Sequence, residues 1–183
     1  MDETTRANLA NIHSPDPETQ NRAYYDLIAA SEQPVDWSYE AWNGLLADLK
    51  DPNNRVRSIA SQLLANLAKS DPENRMLADF DALLDVTRDE RFVTARHCLQ
   101  AIWKVGLAGP AQRQKLLDGL ALRFRECISE KNGSLIRSDI LQDLRSLHAQ
   151  TGDESIRALA LALIETEEDP KYRQKYASIW RKR

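Results

Sequence analysis

The chain is poor in the residues that most chemistry needs. Cys98 and Cys127 are its two cysteines; standing alone, they supply neither a disulfide framework nor the paired spacing of a zinc site. His13, His97 and His148 lie far apart and match no metal-ligand spacing, so no metal centre is expected. Six glycines in 183 residues form no phosphate-cradling loop and no nucleophile elbow. No window approaches 18 consecutive apolar residues, which excludes a membrane-spanning helix. The opening "MDETTRANLANIHS" is polar and carries acids, unlike a signal peptide. With no leader and no disulfide pattern, a reducing cytoplasm is the expected compartment, and no cofactor is expected.

What is present is helical. The sequence is 42% hydrophobic and 29% charged, a globular balance. Four of the seven prolines follow aspartate, at Asp16-Pro17, Asp51-Pro52, Asp71-Pro72 and Asp169-Pro170. An Asp side chain caps orphan N–H groups, and Pro at the first helical position gives up an N–H that had no partner. Gly109-Pro110, Asp36 and Asp153 mark further starts. Between these marks apolar residues recur at helical spacing, as in Val56, Ala60, Leu63, Leu64 and Leu67. No run alternates like a strand, and about ten helices joined by short turns are expected.

Charge is unevenly placed. The formal balance is −3, but "KYRQKYASIWRKR" at the end holds six Lys or Arg and no acid, leaving 19 basic against 28 acidic residues elsewhere. The body, at −9, is a poor start for binding nucleic acid. The terminal segment 169–183 reads as a basic helix capping the fold, and it is the one place where RNA, an acidic partner or an anionic surface could engage.

One unit recurs. "VRSIASQLLANL" from Val56 and "IRSDILQDLRSL" from Ile136 share their opening, and Leu64 and Leu67 match Leu144 and Leu147 at an offset of 80 residues. "IRALALALI" from Ile156 matches Ala60 with Ala160, and weaker copies around Ala23 and Cys98 stand 37 and 38 residues from the Ala60 unit. A period of 37 to 40 residues indicates helix pairs stacked into an α-solenoid. The Asp-Pro turn, Val-Arg, small Ala60 and leucines 63, 64 and 67 resemble the second helix of a HEAT repeat, over roughly residues 3–166. The resemblance implies an all-α fold, a right-handed α-α superhelix of about ten helices in five pairs, forming a single domain over 1–183.

In HEAT-like repeats the helix-opening arginine commonly pairs with a turn acid. A structural role is therefore expected for Arg57, Arg137 and Arg157, with Asp51 and Asp153 as suitable partners. An anion site built from the three guanidiniums is the less favoured reading. The resemblance also implies a concave surface lined by the second helices. By spacing, the residues facing away from the apolar stripe are Arg22 and Asp26, then Arg55, Ser58, Gln62 and Asn66, then His97, Gln100 and Lys104, then Ser138, Gln142 and Arg145. Two carboxylate groups, Asp81/Asp85/Asp89 and Glu165/Glu167/Glu168/Asp169, read as solvated. The tryptophans read as packing, with Trp37 the candidate for surface function.

With no catalytic constellation, the expected function is a non-catalytic module, a monomer that binds a partner protein or peptide along its concave face. Two other functions rest on fold resemblance alone. One is a HEAT-like alkylpurine DNA glycosylase, for which Trp103, Arg96 and Lys104 are suggestive but no acid stands near Trp103. The other is a chaperone of the bilin lyase kind.

Overall fold

A computed structural model describes residues 1–181; Lys182 and Arg183 of the basic terminus lie outside the described residues. Ten α-helices and no strands are found among those residues. They are α1 (Glu3–Asn11), α2 (Pro17–Ala30), α3 (Ser38–Asp48), α4 (Asn54–Leu67), α5 (Arg75–Asp85), α6 (Phe92–Ile102), α7 (Pro110–Glu126), α8 (Gly133–Thr151), α9 (Glu154–Glu165) and α10 (Pro170–Arg181).

The aspartates start helices in two ways. At Asp16 and Asp153 the side chain caps directly, accepting from the Thr19 amide at 2.9 Å and the Ser155 amide at 3.0 Å. At Asp51 and Asp71 the turn is longer. Asn53 becomes the cap of α4 and accepts from the Arg55 amide at 2.9 Å, while Asp51 orders the turn by accepting from the Asn53 amide at 2.7 Å. Asp71 reaches over Asn74, which sits at φ 57°, to accept from the amides of Arg75 and Met76.

Consecutive helices pack as pairs, α1 with α2 through α9 with α10. Even-numbered helices also pack on one another in series from α2 to α10, and odd-numbered ones from α3 to α9. Two rows of helices therefore enclose one continuous core. α4 is the most enclosed, flanked by α2 and α6 and backed by α3 and α5. Ala60 and Ala160 are fully buried, since only a small side chain lets neighbouring helices approach this closely. Trp42 is fully buried, with its indole N–H donating to Asp79 at 2.8 Å. Trp37 is buried as well, so it is packing and not a surface residue.

The repeat arginines lock neighbouring pairs, but through acids other than the expected ones. Arg57 grips Asp89 with two nitrogens, at 2.6 and 2.8 Å, and donates to the Asp51 carbonyl. Asp89 is thus not part of a solvated stripe, because its turn folds back against α4. Burial pushes the Asp89 carboxyl up, but the hydrogen bonds from Arg57 and the Arg91 amide outweigh this and hold its pKa below the ordinary value. Arg137 is buried, stacks on Phe124, and pairs with Glu167 at 2.8 Å, so Glu167 is not solvated either. Arg157 differs: it is exposed and lies 3.6 Å from Glu154, because Asp153 is committed to capping α9 and to Arg113.

Candidate functional site

Helices α2, α4 and α6 lie side by side in the even-numbered row, and their outer faces form a cleft of about 600 Å³. Its floor is Ile59 and Ser58; its walls carry Asn21, Asn54, Arg55, Gln62 and His97. Tyr25 and Val93 stand on its rim with about two-thirds of each side chain in water.

Hydrogen bonds between helices set the positions of these groups. The Arg55 guanidinium donates to the Asn21 side chain on α2. The Tyr24 hydroxyl donates to Gln62 Oε1 at 2.8 Å, and Gln62 Nε2 donates to the Ser58 carbonyl at 3.0 Å. Ser58 Oγ and His97 Nδ1 share a hydrogen bond of 2.8 Å between α4 and α6, and Asn54 Nδ2 reaches Thr94 Oγ1 at 3.4 Å. Burial, and then the neighbouring Arg96 charge, push the His97 pKa down, which favours its neutral imidazole. The Ser58–His97 contact has the separation of a nucleophile and its base. Its hydroxyl is also buried and held by Gln62 Nε2 at 3.3 Å. The bond links α4 to α6.

Of the residues selected by spacing, Arg55, Ser58, Gln62 and His97 meet in this cleft. Arg22 and Asp26 are exposed on α2 but do not line it; Arg22 lies 3.9 Å from Glu18, and Asp26 accepts from Asn8 at 3.5 Å. The lining of α2 is one position off, at Asn21, Tyr24 and Tyr25, and a one-residue shift turns a helical side chain by roughly 100°. Asn66 is buried and donates to the Ser31 carbonyl and hydroxyl, while the Lys104 ammonium donates to Asn66 Oδ1 at 2.8 Å. This network ties α4 to the end of α2 and to the turn that follows α6, beyond the cleft, and burial lowers the Lys104 pKa. Gln100 and Gln142 are exposed, the Ser138 hydroxyl is buried, and Arg145 contacts the Ile179 carbonyl on α10. The signal for the missed residues was Asn21 and Tyr25 at four-residue spacing, opposite Val93 and His97 at the same spacing.

No family model matches the chain, and no curated protein sequence matches it. Its fold is similar to two solved crystal structures of engineered proteins. One, at 18% identity and a TM-score of 0.49, is covered over 47% of its length by 98% of this chain, which thus spans about half of it. The other, at 17% identity and a TM-score of 0.50, is covered over 95% of its length by 98% of this chain. At such identity the second likeness concerns the fold alone. Among the described residues no helix is long and apolar enough to cross a membrane.

Proposed function

We propose that this chain is a HEAT-like interaction module, without catalytic activity, that binds a partner protein through a peptide segment seated in the α2–α4–α6 cleft. The observation that carries this reading is the lining itself. The side-chain amides of Asn21 and Asn54 keep a donor and an acceptor, respectively, that suit a peptide backbone, beside exposed Tyr25 and Val93, which can cover an apolar side chain. The cleft lining holds one fixed positive charge, Arg55, and no acid. That favours a segment with a single carboxylate over a phosphate backbone, whose affinity requires several cations.

Selection from a degenerate peptide library, followed by fluorescence anisotropy on the winners, tests the reading. Enriched peptides should bind the wild-type chain and lose at least about tenfold in affinity to Tyr25→Ala and to Arg55→Ala, about 1.4 kcal/mol each. If no peptide is enriched, or if both variants bind the winners as tightly as the wild type, the reading fails.

A further inference from the structure

Outside the cleft, the fold unites three ligand-type side chains that the sequence keeps apart. His13 lies in the turn between α1 and α2; Asp48 ends α3, and Asp51 lies in the turn before α4. His13 Nε2 stands 3.2 Å from Asp48 Oδ2, and His13 Nδ1 stands 3.9 Å from Asp51 Oδ2. One ligand atom from each residue falls within 4.8 Å of the others. Zinc bonds to nitrogen and oxygen are about 2.0–2.2 Å long, so neighbouring donors in a tetrahedral site stand about 3.3–3.5 Å apart. The His13 Nε2–Asp48 separation is close to that, while Asp51 faces the other ring nitrogen, and its carboxylate or the imidazole must turn to bring both acids to one ion.

The charge balance points the same way. Among the described residues His13 is the one basic side chain within ion-pairing distance of either carboxylate. An imidazole carries at most one positive charge, against two carboxylates. A divalent ion would compensate both acids together.

We propose that His13, Asp48 and Asp51 form a site for a divalent transition-metal ion of the zinc class, with water completing the coordination. An imidazole ligand selects against magnesium and calcium, which take oxygen. His13 is nearly half exposed, so the ion has access from solvent. The bound ion would tie the turn of the first helix pair to the turn of the second. This inference stands apart from the reading of the cleft.

Calorimetric titration of the full chain with zinc, and absorption spectra with cobalt as a coloured substitute, test the site. The wild type should bind one ion, and thermal unfolding should shift upward with zinc concentration. His13→Ala and Asp48→Asn should each weaken binding by about tenfold or more and abolish the cobalt band, while His148→Ala should change neither. Both altered side chains are at least partly exposed, and far-UV circular dichroism verifies that each variant is folded. Absence of saturable binding to the wild type overturns the proposal. So does equal binding by the two folded variants, which would place the ion elsewhere.

Discussion

Two acids, one buried and one largely enclosed, show how single residues set the pH response. Asp143 on α8 is buried with Oδ2 lacking a hydrogen-bond partner, and its pKa is held well above the ordinary carboxyl value, first by burial and then by the Asp139 charge. A raised carboxyl stabilises the fold most below its unfolded pKa, and that contribution is lost as pH rises through the folded value. Asp143→Asn should therefore be progressively more stable than the wild type as pH rises, by about 1–3 kcal/mol at alkaline pH. Urea unfolding from about pH 4 to about pH 9 measures this, and a gap that stays constant across the series refutes it.

Asp89 has the opposite sign. Its depressed pKa gives stability that is present above the unfolded carboxyl pKa and lost as pH falls through the folded one. Because Arg57 and Asp89 are both largely enclosed, Arg57→Ala should cost about 2–3 kcal/mol at neutral pH. That cost should shrink in acid, as pH falls through the depressed folded-state pKa of Asp89. Unfolding curves at neutral and at acid pH decide the point.

Among elements, the start of α8 depends on a glycine for reasons that its sequence position does not reveal. A Cβ on Gly133 would lie 2.1 Å from the Cys127 carbonyl oxygen, a backbone atom that cannot swing aside. Gly133→Ala should destabilise by about 2 kcal/mol or more. Gly44, in α3, meets nothing within 4 Å, so Gly44→Ala should stabilise by about 0.5–1 kcal/mol through its helical preference. Thermal unfolding of the two variants should give shifts of opposite sign. Helix starts themselves were legible in sequence, because a cap is a local matter of one side chain and the next three amides. The exact residue shifted at Asp51 and Asp71, where Asn53 and Asn74 intervene and a longer turn lets the aspartate act at a distance.

At the scale of the whole molecule, the stacked pairs need a closed end. Tyr176 of α10 is fully buried against Phe124, with its hydroxyl donating to the Ser134 carbonyl at 3.2 Å. Removing residues 169–183 would open that surface and strip Arg137 of part of its cover. The shortened chain should lose about 10 °C in melting temperature, the equivalent of one large aromatic core residue, and should self-associate in light scattering. An unchanged melting temperature and a monomeric state would show that α10 is dispensable.

The sequence by itself determined the all-helical class, the helix number and most helix starts, because periodicity and capping act over a few residues. It also placed Arg55, Ser58, Gln62 and His97 on a common outer face, since a 3.6-residue repeat orders faces within each helix. Partners across the chain were decided by tertiary structure alone. The carboxylates of Asp89 and Glu167, not those of Asp51 and Asp153, pair with Arg57 and Arg137, and Asn66 and Lys104 are drawn into an inter-helix network. His13 joins Asp48 and Asp51 in the same way. Each of these contacts spans 30 or more residues, and its geometry depends on the tilt and register with which one helix pair settles on the next. Apolar spacing fixes which face of a helix is buried, but not where along its neighbour that face comes to rest.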